Sequence, residues 1–189
     1  MDASQTGAGQ DVIDVLTADH REFEQLVTEI TASIDPAQRR ETADQLIAEL
    51  VRHAVAEEMF VYPEMREHLP NGEEAVEHDK QEHHELEVLM KRLEGLDAGD
   101  PQFMETVAEL RDVLRDHVRD EEGEQFPLLR ANIPVDRLVN LKDRVEAAKK
   151  AAPTRPHPEA PNSALFHKLV GPGVGLVDRL RDRLTGRST

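Results

Sequence analysis

From Ile13 onward, apolar residues return every three or four positions. Ile13, Leu16, Phe23, Val27, Ile30 and Ile34 form the first run, with His20 in the gap between Leu16 and Phe23. That spacing lays one face of an amphipathic helix against a core. Asp35-Pro36 closes this helix and opens the next, because aspartate caps a helix start and proline fits its first position. Leu46, Leu50, His53, Glu57 and Phe60 keep the same steps up to Pro63, which is expected to bend the helix end. Pro70-Asn71-Gly72 reads as a turn. A third run holds Val76, Asp79, His83, Leu86, Met90 and Leu93. After Asp100-Pro101 a fourth holds Phe103, Val107, Leu110, Leu114, His117 and Glu121. Short connections make neighbouring helices antiparallel, so the predicted fold is all-α, an up-and-down four-helix bundle over residues 11–132.

Outside that body the pattern weakens. Residues 1–10 are small and polar and read as a flexible N-terminus. Residues 133–150 predict an additional helix, 151–162 a proline-rich linker, and 163–189 a basic, weakly amphipathic tail. Together they make a C-terminal helical extension whose tail is open to three readings: mobile, docked on the bundle, or in contact with an unknown protein partner.

The four helices are a hairpin used twice. HAVAEEMFVYPEM matches HVRDEEGEQFPLL, so that His53, Glu57 and Pro63 stand 64 residues before His117, Glu121 and Pro127. DHREFEQLV matches EHHELEVLM with His20 63 residues before His83. In that register Phe23, Leu26, Val27 and Ile30 meet Leu86, Leu89, Met90 and Leu93. Aligning His20 on His84 instead would set Phe23 against Glu87, and His78 matches nothing. His83 is therefore the inward histidine, and His78 and His84 are assigned to the surface.

Histidine followed by glutamate four residues later occurs at five of the nine histidines, so the spacing alone says little. Only His53 with Glu57, and His117 with Glu121, place both members on apolar steps. Four helices thus each send one imidazole inward, and two add a carboxylate. Burying these six groups uncompensated would exceed the stability margin of an ordinary domain. A pair of divalent or trivalent cations inside the bundle offsets that cost. With no cysteine in the chain, imidazole and carboxylate ligands suit iron, ahead of manganese or zinc.

Composition narrows the partners. The net charge is −16; from residue 151 onward six Lys/Arg face three Asp/Glu, leaving −19 on residues 1–150. Such a body repels phosphate backbones, so no nucleic acid is expected. No leader or membrane-length apolar run appears, which gives a cytoplasmic protein with no membrane contact as the expectation. Without cysteine, thiol catalysis, disulfides and cysteine-ligated clusters are excluded.

These residues resemble the hemerythrin-like proteins, the family of HHE cation-binding domains. The resemblance rests on His20, on His53-x-x-x-Glu57-Glu58 running to Tyr62-Pro63, on Glu82-His83, and on His117-x-x-x-Glu121-Glu122 running to Phe126-Pro127. It implies two iron ions with an oxo or hydroxo bridge and Glu57 and Glu121 as bridging carboxylates. His20 and His53 would lie toward one iron, and His83 and His117 toward the other. The chain departs from the oxygen-carrying members at two points. Asp79 stands four before His83, where they carry a second histidine, and Glu121 stands four after His117, where they have an aspartate at five. Asp79 is read as an iron or water ligand, or as a carboxylate that orients a ligand histidine. Tyr62 is read as an oxygen ligand or redox relay, or as a ring packed beside Pro63.

The resemblance implies reaction with hydrogen peroxide, dioxygen or nitric oxide, of catalase or peroxidase type, in a stress response. Glu58 and Glu122 are candidate proton relays, or else surface carboxylates. The alternative is non-catalytic, reversible oxygen binding or sensing of oxygen or iron; a purely structural or zinc-holding bundle is a third reading.

Overall fold

Aspartate caps set the helix starts in the computed structural model, which describes residues 10–157 together with Asp178 and Asp182. Helix α1 (Val12–Ala32) begins with a capping box in which the Asp11 and Asp14 carboxylates each accept from the other's backbone amide. Helices α2 (Pro36–Ala56) and α5 (Pro101–Asp120) begin with proline behind a capping aspartate: Asp35 accepts from the Ala37 amide and Asp100 from the Gln102 amide, each at 2.9 Å. Helix α4 (Gly72–Gly95) starts at a tight turn that only glycine fits, since a Cβ on Gly72 would stand 2.1 Å from the Met65 carbonyl oxygen.

Pro63 and Pro127 do not end their helices. Each follows a π-helical turn, Glu57–Val61 or Glu121–Gln125, in which the next amide bonds five residues back: Tyr62 N–H to Glu57 O, and Phe126 N–H to Glu121 O. Proline lacks the N–H that an α-helix needs and its ring crowds the carbonyl four residues back, and the wider turn takes up both faults. The rods then continue as α3 (Tyr62–His68) and α6 (Phe126–Asn132).

The described residues form an antiparallel bundle in which α1 pairs with α2 and α4 with α5, as the apolar steps predict. Ile34 is the exception, lying beyond α1 and 92% exposed. A fifth helix, α7 (Val135–Ala151), packs on α1, α2 and the first π turn through Leu138, Leu141, Val145 and Ala148. After it, Ala152 and Thr154 are buried, and Arg155 pairs with Glu94 at 3.1 Å, so this part of the proline-rich stretch lies on the bundle. The flexible N-terminus expected over 1–10 and the tail over 163–189 fall outside the described residues, apart from Gln10, Asp178 and Asp182.

The core has two apolar layers. One is built around Phe23, Ile30, Leu46, Met90, Phe103 and Leu110, the other around Val12, Leu16, Met65, Val76, Phe126 and Leu138. Burying each such large side chain contributes about 1.5–3 kcal/mol. Between the layers lies a polar one.

Candidate metal centre

His20 from α1, His53 from α2, His83 from α4 and His117 from α5 are all buried, as are Glu57 and Glu121 at the first residue of each π turn. The structure brings all six together. Their Nε2 atoms converge in pairs, His20 on His53 at 3.3 Å and His83 on His117 at 3.2 Å. Each glutamate spans the two pairs. Glu57 lies 3.2 Å from His53 Nε2 and 3.4 Å from His83 Nε2; Glu121 lies 3.2 Å from His20 Nε2 and 3.5 Å from His117 Nε2. These approaches fit charge contacts but not hydrogen bonds, and all four carboxylate oxygens lack a hydrogen-bond partner.

The far nitrogens are held from behind. His53 Nδ1–H donates to Asp19 Oδ2 at 3.0 Å, His117 Nδ1–H to Glu82 Oε2 at 3.0 Å, and His20 Nδ1–H to Glu122 Oε1 at 2.8 Å. Beside His83 Nδ1 lie the Tyr62 hydroxyl at 3.1 Å and Glu58 Oε1 at 3.6 Å. A proton fixed on Nδ1 leaves the Nε2 lone pair facing inward, the form a cation requires. Asp19 is itself gripped by Lys149 of α7 at 2.6 Å, and Glu122 by Arg21 at 2.6 Å.

The electrostatics match a centre built for positive charge. Burial pulls the His53 imidazole down, but the adjacent charge of Glu57 and the hydrogen bond to Asp19 outweigh it and hold the group at about 10. Burial likewise opposes His83 and His117, whose glutamate neighbours raise both. For Glu57, burial pushes upward, yet His53 and His83 keep it well below the ordinary carboxylate range. Burial and the surrounding carboxylates lift Tyr62 well above 10, so its hydroxyl stays protonated. Burial and Glu121 raise Asp79 to about 7.

Chemically, then, four inward Nε2 atoms and two carboxylates with unpartnered oxygens form two adjoining pockets. His20, His53, Glu57 and Glu121 make one, and Glu57, His83 and His117 the other; within each, the ligand atoms lie within 4.8 Å of one another. The donor set fits a pair of hard or borderline cations.

Of the additional residues read from sequence, Tyr62 is buried with its ring stacked on His83 at 5.6 Å, and Asp79 is buried and accepts from Gln125 Nε2 at 2.9 Å. His78 and His84 are exposed. Glu58 and Glu122 turn toward imidazoles rather than lying on open surface. Asp19 and Gln125 escaped the sequence reading, and Glu82, quoted there within the family motif, was given no role of its own. Asp19 and Glu82 carried a signal, since each directly precedes an inward histidine at matching places in the repeat. Gln125 carried none, because its partner in the repeat is Val61.

A helical bundle with a buried histidine and glutamate cluster defines a metal-binding protein, and residues 11–129 match the hemerythrin HHE cation-binding domain. The chain belongs to that family. It is similar to an uncharacterized hemerythrin-like protein of Schizosaccharomyces pombe, 29% identical over 174 residues that cover 92% of this chain and 86% of the relative. It is also similar to a protein named DNA nickase from a Nostoc species, 32% identical over 136 residues, 72% of this chain and 38% of the other. No solved structure matches the chain at a significant level. Among the described residues, no helix is long and apolar enough to cross a membrane.

Proposed function

We propose that this is a cytoplasmic non-haem di-iron protein that reacts with hydrogen peroxide, dioxygen or nitric oxide, as a catalase or peroxidase-type activity in the response to oxidative or nitrosative stress. One observation carries the reading: two pairs of Nε2 atoms, 3.3 and 3.2 Å apart, with Glu57 and Glu121 each placed across both pairs. His20 and His53 would hold one iron and His83 and His117 the other, with Glu57 and Glu121 within reach of both. Iron, when bound, would supply the redox chemistry that amino-acid side chains lack. The chain's own residues orient the imidazoles through Nδ1, exclude bulk water with two apolar layers, and carry protons on Glu58 and Glu122 beside His83 and His20.

Sensing is the second reading, and the link from His53 through Asp19 to Lys149 supports it, since it ties the centre to α7. The nickase name attaches to a relative of which this chain spans 38%, and a net charge of −16 argues against a phosphate backbone as ligand.

The test is metal analysis with near-ultraviolet and visible spectra of the reduced protein, exposed first to air and then to peroxide. Two irons per chain and irreversible oxidation support redox chemistry. Bands that revert when oxygen is removed support a carrier or sensor, and a protein that takes up no iron sinks the assignment.

A further inference from the structure

The two hairpins agree at the six inward groups and differ beside them. Four residues before the inward histidine, α1 has Leu16 and α4 has Asp79. The π turns end in Val61 and Gln125, followed by Tyr62 and Phe126 respectively. These differences sort by side. Phe126 stacks on His20 at 5.7 Å with planes 9° apart, and Leu16 is fully buried, so hydrocarbon walls the His20/His53 side. The polar members collect on the other side. Tyr62 lies against His83, Gln125 donates to Asp79, and Asp79 offers an oxygen within 4.8 Å of ligand atoms of Glu82 and His117.

The outer faces differ in the same sense. On the first hairpin, α7 covers the π turn: Leu138, Leu141 and Val145 share a cluster with Val12 and Val61, and Arg144 sits 4.4 Å over the Phe60 ring. The matching face of the second hairpin, between α4 and its π turn, is a cleft of about 770 Å³. Ala75, His78, Glu124 and Leu128 border it, and Gln125 is the lining residue that also reaches Asp79.

Gln125 Oε1 and Asp79 Oδ2 are buried acceptors with no hydrogen-bond partner among the described residues. Acceptors so placed favour a ligand that brings donors. Dioxygen and nitric oxide bring none, whereas hydrogen peroxide brings two.

We propose that this cleft is the entrance to the centre, and that a small O–H donor of the hydrogen peroxide class binds on the His83/His117 side against Asp79 and Gln125, while the His20/His53 side stays closed. The proposal rests on the two-cation reading above.

The test uses the full iron-loaded chain and three variants. Ala75→Trp fills the cleft mouth, and Gln125→Val and Asp79→Leu each install the residue that the first hairpin carries. Stopped-flow absorbance follows azide binding to the oxidised protein, electron paramagnetic resonance measures nitric oxide affinity of the reduced protein, and a peroxide titration gives half-saturation. Ala75→Trp is expected to slow azide association by about tenfold with iron content unchanged. Gln125→Val and Asp79→Leu are expected to raise peroxide half-saturation by about tenfold, the worth of one good hydrogen bond, while nitric oxide affinity moves by less than about twofold. Azide association unaffected by Ala75→Trp would overturn the entrance. Equal effects on peroxide and nitric oxide, or none on either, would overturn the donor site. Gln125→Val carries the comparison if Asp79→Leu fails to fold. A wild-type chain with fewer than two irons and no azide band would sink the two-cation reading and this proposal together, whereas a fully loaded chain with insensitive variants sinks this proposal alone.

Discussion

Each inward imidazole is positioned by a residue on a different helical segment, and that arrangement sets what single substitutions do. Asp19→Ala frees the His53 ring to rotate and strips Lys149 of its partner, so cation affinity in a chelator competition is expected to fall by about 10–100-fold. Phe23 packs edge-on against the same ring and stays in place, which separates loss of orientation from loss of packing. Protons supply a second check. Without cations, His53 holds its proton up to about pH 10, so cation binding at pH 7 is expected to release at least about one proton per chain, visible in weakly buffered solution with an indicator dye. Binding then tightens as pH rises. The metal-free fold behaves oppositely: the stability contributed by a raised His53 is fully present below 6.5 and fades as pH rises through about 10, which denaturation across that range will register.

At the scale of elements, the two π turns and the glycine turn decide where side chains land. Gly72→Ala drives a methyl into the Met65 carbonyl and is expected to cost about 1–3 kcal/mol in chemical denaturation, far more than Gly95→Ala, where a Cβ would meet nothing within 4 Å. Much of this level was legible in the sequence. The steps of three and four, the Asp-Pro caps and the repeat located the four bundle helices, and the choice of His83 over His84 followed from matching Phe23 to Leu86. The π turns were not legible, because proline reports a missing donor and says nothing of how the chain absorbs it. Asp19 was overlooked, and Glu82 left without a role, because both lie off the apolar seam of their own helices; each reaches across to a histidine on the neighbouring one. Exposure of Ile34 was also hidden, since periodicity runs one step past Ala32, where the helix ends and Ser33 turns extended.

For the whole molecule, cation binding and folding are expected to be coupled. Glu57 and Glu121 are buried with no hydrogen-bond partner for any carboxylate oxygen, so chelation leaves charge in the core with only imidazolium to answer it. Free cation at about 1,000 times its dissociation constant adds about 4 kcal/mol, so chelator-treated protein is expected to melt about 8–16 °C lower for a chain of this size. Calorimetry of the two forms decides it; equal melting temperatures would argue against a cation in the core.

The repeated hairpin has a further consequence. Glu57 touches one histidine of each hairpin, as does Glu121, and Glu122 reaches back from the second hairpin to His20 in the first. Neither half contains a finished site, and two identical hairpins meeting as a dimer would build one with twofold symmetry. Joining them in one chain removes that constraint. Leu16 and Phe126 can then seal one side while Asp79 and Tyr62 furnish the other, a division of labour that a symmetric pair has no means to encode.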